Sequence, residues 1–516
     1  MILYIHIPFC ESKCGYCAFS SVVLKPHNLE RLKKQYIDAL ILDISYSLKA
    51  YQQFTTQKSN QMPKNKDFIS IFSSLDSQVL DFGDFAYEGE SSRVVLDSIY
   101  IGGGTPNTLN EGDYERIFGV IFDNARMSKN AQITIEANPN LLHKNWCKSL
   151  RSFGVNRISM GVQSFDNAKL RFLERAHTSK DIFKALELAS IFRDSSIDLI
   201  YGTPLDSKIL LKSEVAQAVS LPISHISAYC LMQENGAKNA TKYAKLESKM
   251  KDSSPNLTQN QSKNPALDSI KLDSRDFDFC GDDGLESSQM GEIVRNELEK
   301  YQFYQYEVSS FAKHIAGQNS TKSVHNLSYW RGEEYLACGL SAVGRVGQCR
   351  YSGEDTLFGY IASPLSKKCE WLSAEDLAFE RVFLGLRSEV GILLSHSLKK
   401  RILEALGIKS SDINLLSPKS QPTNQQMLRN QQNLQRPKII PQTIITQTII
   451  PNDNLEQDIA NALEKLINPR RIAILISEGK CDIKGQNLIT QNLVAQNLVA
   501  RDYFLADEIA LYITSH

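Results

Sequence analysis

Three cysteines near the start of the chain have the spacing C-x3-C-x2-C. Cys10, Cys14 and Cys17 directly follow the apolar run Leu3–Phe9. Three thiolates on one short loop can bind three irons of a cubane iron–sulfur cluster and leave the fourth iron without a protein ligand. An open iron of this kind can chelate the amino and carboxylate groups of S-adenosylmethionine (SAM). The spacing therefore predicts a [4Fe-4S] cluster with room for SAM.

Two other interpretations of the three cysteines are a structural zinc site and a disulfide. Zinc takes four ligands, and only His6 is close enough in sequence to complete a Cys3His set. The other seven cysteines are scattered singly, and the first residues carry no basic signal segment. This pattern indicates a reducing cytoplasm, where disulfides are rare. The cluster is favoured, and the zinc site remains the alternative.

A glycine-rich turn, Gly102–Pro106, follows a predicted strand. Its three glycines allow backbone groups to approach a ligand closely. No Lys-Ser or Lys-Thr pair follows them, so the turn is not a P-loop. Gly103, Gly104 and Thr105 are therefore candidate binding residues.

Four further polar side chains occur at or near the predicted strand ends. Glu136 ends the third strand and can accept hydrogen bonds from ribose hydroxyls, while Gln163 ends the fourth. Arg175 suits a carboxylate because its guanidinium is a planar fork of donors. Asp198 begins the fifth strand. Each has a structural alternative, as a helix cap or a surface ion pair, but together they mark one rim of a parallel sheet.

The first half of the chain alternates short β-branched runs with amphipathic helical runs, which indicates βα units around a parallel sheet. Six units fall short of the eight of a closed barrel. We therefore predict an α/β fold with a partial (β/α)6 barrel and a smaller C-terminal α/β or winged-helix-like domain. The predicted strands are Leu3–Ile7, Ser98–Ile101, Ile133–Glu136, Arg157–Gly161, Asp198–Tyr201 and His225–Tyr229.

Several polar stretches interrupt this pattern, and their composition cannot bury enough apolar surface to fold alone. We interpret them as surface insertions. The predicted organisation is a barrel over 1–236 with an insertion at about 52–92, an insertion over 237–280, a connecting segment over 281–372 and a C-terminal domain over 373–516 with a Gln/Asn-rich insertion at about 415–454. In the connecting segment we predict a strand at Tyr304–Ser309 and a loop carrying His325–Trp330.

The charge balance excludes some partners. The chain has 58 Lys and Arg residues and 58 Asp and Glu residues, so its net charge gives no sign of a nucleic-acid or membrane-surface partner. No apolar run approaches the length of a membrane span, so no integral membrane segment is predicted.

Taken together, these motifs resemble the oxygen-independent coproporphyrinogen III oxidase family of the radical-SAM superfamily, and within it the HemW branch of heme chaperones. The resemblance rests on Tyr-Ile-His-Ile-Pro-Phe-Cys, the glycine turn, Gly-Val-Gln-Ser-Phe, Asp-Leu-Ile-Tyr, Tyr-Glu-Val-Ser and His-Asn-Leu-Ser-Tyr-Trp. It implies a radical-SAM partial barrel. It also implies SAM contacts at Tyr4, Tyr16, Gly103, Gly104, Thr105, Glu136, Gln163, Arg175 and Asp198.

Two features favour the HemW branch over the oxidases. The oxidases have a further cysteine two positions after the third, where this chain has Phe19, and an extension before the cysteines for which Cys10 leaves no room. The pattern His325-Asn-x-x-Tyr-Trp330 is associated with heme binding in HemW-like proteins, so His325 is a candidate axial ligand. From the residues alone, a structural loop histidine beside aromatic core residues is the favoured interpretation, and only the resemblance favours a heme ligand.

The chain departs from the family at two positions that bear on the heme site. Val343 stands where relatives usually have histidine, and Gln233–Gly236 only partly resembles their Ile-Glu-Pro-Gly. The expected function is a cytoplasmic heme chaperone that holds a [4Fe-4S] cluster, SAM and heme. Its partners would be a heme-acceptor protein and the iron–sulfur assembly machinery. The alternatives are a coproporphyrinogen III oxidase, whose activity we do not expect here, and a zinc-stabilised binding module.

Overall fold

The structure is a computed structural model. It describes residues 1–23, 26–59, 68, 93–231, 287–313, 320–407, 453–478, 480–484, 497–500, 510 and 513–514. The predicted insertion at 237–280 lies outside these residues, as do most of the insertions at 52–92 and 415–454. The described residues form two compact units, Met1–Leu372 and Ser373–His516.

Among the described residues, the first unit is built on one twelve-stranded sheet. Its centre is a run of seven parallel strands. In spatial order these are β11 (Tyr335–Cys338), β1 (Ile2–Ile7), β4 (Val94–Gly103), β5 (Ala125–Ala137), β6 (Arg157–Gln163), β7 (Asp194–Tyr201) and β8 (His225–Cys230). All six predicted strands are present, and the predicted α/β class is confirmed.

Helices connect the parallel strands and cover their apolar face. They are α1 (Pro26–Ser59), α2 (Glu111–Asn124), α3 (Lys144–Ser152), α4 (Asn167–Phe172), α5 (Ser179–Ala189) and α6 (Lys208–Val219). Helix α2 begins with a capping box between Asn110 and Asp113. Helix α1 continues to Ser59, so the first residues of the predicted insertion, 52–59, are helical.

Antiparallel strands extend both edges of the sheet. One edge carries β12 (Val343–Val346), β13 (Cys349–Ser352) and β14 (Lys368–Trp371); the other carries β9 (Phe303–Gln305) and β10 (Ser310–Lys313). Helices α7 (Ser287–Lys300), α8 (Val324–Trp330) and α9 (Leu357–Ala362) lie among them in the chain. The predicted single strand Tyr304–Ser309 is wrong, because a turn separates β9 from β10. The predicted loop at His325–Trp330 is also wrong, because these residues lie in α8.

Alternation along the parallel strands separates an apolar face from a polar one. On β1, Leu3, Ile5 and Ile7 are fully buried on one face. Tyr4 and His6 lie on the other face, where their neighbours on β4 are Tyr100 and Gly102. The inner face of the partial barrel is therefore polar, and its side chains are available to bind a ligand.

The remaining elements are small. Strands β2 (Phe9–Cys10) and β3 (Val22–Val23) form a short parallel pair at the base of the cysteine loop. The second unit contains α10 (Ala374–Leu386), α11 (His396–Ala405), α12 (Asp453–Leu466) and α13 (Pro469–Ser477), and an antiparallel sheet of β15 (Ile392–Leu393), β17 (Asn497–Ala500) and β16 (Cys481–Lys484).

Two findings concern the cysteines and membrane association. The structure joins Cys349 on β13 to Cys369 on β14 in a disulfide, whereas the scattered spacing of the cysteines predicted a compartment in which disulfides are rare. Among the described helices, none is both long and apolar enough to cross a bilayer.

Candidate functional site

The three N-terminal cysteines lie on the loop between β1 and α1, at the carboxyl end of the parallel strands. Cys10, Cys14 and Cys17 are free thiols with partly exposed side chains. The Cys17 amide donates to the Cys14 carbonyl at 3.2 Å, which turns the loop tightly between these two residues. Burial raises the pKa of the Cys10 and Cys17 thiols. Within the described residues, no three His, Cys, Asp or Glu side chains are gathered around a position for a single metal ion.

The glycine turn is bound directly to the cysteine loop. The Gly104 amide donates to the Ile7 carbonyl at 2.7 Å, and the Thr105 amide donates to the Phe9 carbonyl at 2.8 Å. The Thr105 hydroxyl lies 3.4 Å from the Cys10 sulfur and donates to it. The two motifs that the sequence suggested independently therefore form one structure.

Glycine is required at two positions of this turn. Gly103 has a φ of +115°, and a Cβ there would lie 2.6 Å from the His6 ring. A Cβ on Gly104 would lie 2.7 Å from the backbone of Pro8. Any side chain at either position would separate the turn from β1.

Arg175 connects the cysteine loop to the ends of β5 and β6. Its Nη1 lies 3.4 Å from the Cys14 sulfur and 3.4 Å from the Tyr16 hydroxyl. Its Nη2 donates to Asn138 Oδ1 at 2.7 Å and to the Gly161 carbonyl at 2.9 Å. Its Nε is buried without a hydrogen-bond partner among the described residues. One donor of a charged group beside the cysteines thus remains for a ligand.

Asn138 is a site residue that the sequence analysis missed. Its side chain accepts from Arg175 and donates from Nδ2 to the Thr105 hydroxyl at 3.2 Å. It therefore joins the arginine to the glycine turn. The signal that could have identified it is the alternation of β5, because Asn138 lies two residues after Glu136 and on the same side of the strand.

Glu136 lies beneath the glycine turn on the inner face. Its carboxylate accepts from the Tyr100 hydroxyl at 2.8 Å and from the Gly103 amide at 3.2 Å. Removal from water raises its pKa from 4.5 to about 7, and the nearby Asp198 adds to the increase. Burial likewise raises the pKa of Asp198 to about 6, although the hydroxyls of Ser227 and Ser159 oppose the change. Glu136 and Asp198 are thus two acids that share the inside of the barrel.

The raised pKa of Glu136 predicts a pH-dependent stability. An acid whose pKa is higher in the folded state than in the unfolded state stabilises the fold below its unfolded pKa, and this contribution is lost as the pH rises through the folded value. In cofactor-free protein, the Glu136→Gln variant should therefore gain stability relative to wild type between pH 5 and pH 8. We expect a gain on the order of 2 kcal/mol, measured by denaturant unfolding. An equal difference between the two proteins at both pH values would contradict the assignment.

Gln163 ends β6 in an unusual conformation. Its φ is +67°, in the left-handed region that non-glycine residues rarely adopt. Its Nε2 lies so close to Gly161 that a Cβ there would be 2.9 Å away. The Gln163 side chain is therefore turned back over the strand end, next to the carbonyl that accepts from Arg175.

A buried ion triad holds the loop after Gln163. Lys169 Nζ donates to Asp206 at 2.6 Å and to Glu214 at 2.8 Å, and all three side chains are almost completely buried. The other oxygen of Glu214 accepts from the Ser164 hydroxyl and from the Phe165 amide. Burial alone would lower the pKa of Lys169, but the two carboxylates raise it, so the lysine is charged. The sequence analysis did not identify this triad.

Tyr4 and His6 extend the inner face toward the cysteine loop. The Tyr4 hydroxyl lies 3.0 Å from His6 Nδ1, and His6 Nε2 lies 2.9 Å from the Ser20 carbonyl, three residues after Cys17. His6 thus fixes the returning end of the loop.

His325 lies at the opposite end of the inner face, away from the cysteines. Its side chain is 1% exposed. Its Nδ1 lies 3.2 Å from the Ser98 hydroxyl and its Nε2 3.1 Å from the Tyr329 hydroxyl. Burial lowers its pKa to about 3, so the ring is neutral. Since both ring nitrogens already have partners, this geometry favours a structural histidine over an axial heme ligand, and heme ligation by His325 stays an untested prediction.

The predicted SAM residues thus meet at one end of the partial barrel, and His325 does not join them. Tyr16, Gly103, Gly104, Thr105, Gln163 and Arg175 surround the cysteine loop, while Tyr4, Glu136 and Asp198 lie deeper on the inner face. Val343 begins β12 and is partly exposed. The segment Gln233–Gly236 lies outside the described residues.

Comparison with known proteins shows what the fold and the site resemble. Residues 86–207, which include the glycine turn, Glu136, Gln163, Arg175 and Asp198, match the model of the Radical SAM superfamily. The solved structure of coproporphyrinogen III oxidase (HemN) from Escherichia coli, described as a radical SAM enzyme, aligns with a TM-score of 0.51 and 20% identity, over 80% of this chain and 83% of that chain. The radical-SAM fold with its partial barrel is thereby confirmed.

Sequence comparison shows which branch of the radical-SAM superfamily the chain resembles. The chain is 28% identical to the heme chaperone HemW of Lactococcus lactis over 396 residues, which cover 76% of this chain and 82% of that protein. It is 29% identical to the heme chaperone HemW of Escherichia coli over 349 residues, which cover 67% and 70%. A mouse mitochondrial protein, radical S-adenosyl methionine domain-containing protein 1, is 25% identical over 413 residues. The resemblance to the HemW branch of the radical-SAM superfamily, which the motifs predicted, is thereby confirmed.

Proposed function

We propose that the chain is a heme chaperone that carries a [4Fe-4S] cluster on Cys10, Cys14 and Cys17, binds SAM at the open iron and holds heme for transfer to an acceptor protein. The observation that carries the proposal is the joining of three free thiols, a glycine turn and a buried guanidinium nitrogen at one end of a radical-SAM barrel. The cluster would be supplied by the iron–sulfur assembly machinery, and we propose a cytoplasmic location.

The donor set fits a three-cysteine cluster. Three thiols on one loop match the ligands of a cubane with one open iron. Arg175 beside Cys14 adds a positive charge that would partly balance the negative charge of a cluster held by thiolates. When bound, such a cluster supplies an electron to SAM.

The residues around the cysteines fit SAM. Arg175 offers a free Nε donor to a carboxylate, and the turn with Gly103 and Gly104 is bound directly against the cysteine loop. Glu136 and Asp198 offer acceptors for ribose hydroxyls deeper in the barrel. We propose Tyr4, Tyr16, Thr105 and Gln163 as the remaining contacts.

The heme function comes from the relatives, whose printed name is heme chaperone. No residue of this chain is assigned as the heme ligand, because the one candidate, His325, is enclosed in the barrel. A coproporphyrinogen III oxidase shares the fold at 20% identity, which shows the fold alone.

One experiment tests the proposal against both alternatives. The full chain is reconstituted anaerobically with iron and sulfide, and assayed in parallel for SAM binding, heme binding and coproporphyrinogen III turnover. We expect about four irons per chain, a SAM-dependent change in the electron paramagnetic resonance spectrum of the reduced cluster, stable heme binding and no protoporphyrinogen IX. Stoichiometric zinc without iron would establish the zinc module, and protoporphyrinogen IX formation would establish the oxidase.

A further inference from the structure

Helix α8, which carries the His-Asn-x-x-Tyr-Trp motif, is attached to the amino-terminal end of the barrel strands. The Val324 amide donates to Gln132 Oε1 at 2.9 Å, and Gln132 Nε2 donates to the Lys322 carbonyl at 3.2 Å. The Ser323 amide donates to the Tyr306 hydroxyl at 3.0 Å. Gln132 pairs with Ser98, which in turn pairs with Ile2, the first residue of β1. The helix is therefore fixed at the end opposite to the cysteine loop.

The His325 ring packs beneath the aromatic side chains of the inner face. Its centroid lies 5.1 Å from that of Tyr100 and 6.4 Å from that of Tyr4. The ring of Tyr329 packs edge-on against it at 4.8 Å. Tyr4 and Tyr100 are themselves stacked at 6.4 Å. These four rings form one aromatic layer, to which α8 contributes His325 and Tyr329.

Two tyrosines of this layer, Tyr4 and Tyr100, each hold a residue directly above them. The Tyr100 hydroxyl donates to Glu136, which also accepts from the Gly103 amide. The Tyr4 hydroxyl contacts His6, which reaches the Ser20 carbonyl behind the cysteines. A continuous set of contacts thus leads from α8 to the glycine turn and to the end of the cysteine loop.

We propose that His325 is a positioning residue for the SAM site, and that it supports Tyr4 and Tyr100 and through them fixes Glu136 and His6. The identity of SAM as the ligand rests on the proposed function, whereas the chain of contacts does not. The inference also predicts that heme binds without His325, because an iron ligand needs a free ring nitrogen and both nitrogens of this ring have hydroxyl partners.

Removal of the ring tests the proposal. In reconstituted full-length protein, His325→Ala should weaken SAM binding about tenfold, because a void under Tyr100 frees Glu136 to move. His325→Phe keeps a ring of similar size and should bind SAM within about threefold of wild type. SAM affinity is measured by isothermal titration calorimetry, and heme binding by the Soret absorption of the same variants, which should not change.

A matched control separates positioning from general destabilisation. Ile121 is fully buried on α2, outside the polar inner face. Ile121→Ala creates a cavity there and should lower the unfolding midpoint as His325→Ala does, but without weakening SAM binding. Equal losses of SAM affinity in both variants would overturn the proposal.

A second measurement does not depend on SAM. Hydrogen–deuterium exchange of the peptide containing Gly103, in cofactor-free protein, should be faster in His325→Ala than in Ile121→Ala. Failure of wild type to bind SAM would refute the proposed function, and the exchange measurement would still decide the role of His325. Wild-type exchange and wild-type SAM affinity in His325→Ala would overturn this inference. Loss of the Soret band with SAM affinity retained would overturn it in favour of a heme ligand.

Discussion

Replacing Cys14 with alanine should reduce the iron content of anaerobically reconstituted protein from about four atoms per chain to almost none. Two thiolates cannot hold a cubane in place, and Cys14 is the cysteine that Arg175 contacts. The same result is expected for Cys10→Ala and Cys17→Ala. Iron and sulfide are measured chemically, and the broad cluster absorption near 400 nm should disappear with them.

Two other cysteines provide matched controls. Cys147 on α3 and Cys481 on β16 are both buried and in no disulfide, and they lie far along the chain from the loop. Cys147→Ala and Cys481→Ala should retain the full iron content, because these thiols are packed as small apolar groups. A full complement of iron in Cys14→Ala, or its loss in both controls, would rule out the three-cysteine cluster.

The strands and their polar ends could be predicted because they depend on local pattern. Alternation between apolar and polar residues places Glu136 and Gln163 at strand ends, and parallel strands bring those ends to one edge. Six of the seven parallel strands contain the run that the sequence predicted, although β4, β5 and β7 begin several residues earlier. The seventh, β11, was not predicted. The cysteines and glycines were recognisable because their chemistry depends on short spacing.

The parts that could not be predicted depend on contacts between distant segments. Ser98 and His325 are 227 positions apart, and nothing near either residue indicates that they meet inside the barrel. Lys169 and Glu214 are 45 positions apart, and each resembles an ordinary charged residue of a surface helix. A motif identifies which residues matter, but only the tertiary structure shows what they contact.

The position of His325 changes the interpretation of its motif. The sequence suggested a loop that carries the imidazole beside two aromatic residues. The structure has a short helix that begins at the Ser323 cap and directs the imidazole inward. The same residues that could surround a porphyrin therefore form the end of a polar barrel interior. Packing accounts for His325 and Tyr329 of the motif, and heme ligation by His325 stays an untested prediction.

The second large effect is expected at the buried ion triad. Lys169→Met should lower the free energy of unfolding by about 3–5 kcal/mol at pH 7, because the carboxylates of Asp206 and Glu214 then remain buried without their cation. Methionine keeps the length of the side chain, so lost packing contributes little. The measurement is urea unfolding of cofactor-free protein.

The pH dependence and a second substitution distinguish charge from packing. Burial raises the pKa of Glu214, so lowering the pH allows this unpaired carboxyl to take up a proton, and the defect of Lys169→Met should be smaller at pH 5 than at pH 7. Adding Glu214→Gln to Lys169→Met should recover part of the loss at pH 7, since it removes one of the two buried charges. The control is Lys184→Met on α5, where the side chain is exposed and the change should be under about 0.5 kcal/mol. A loss in Lys169→Met that is independent of pH and unaffected by Glu214→Gln would show that the triad stabilises the rim by packing alone.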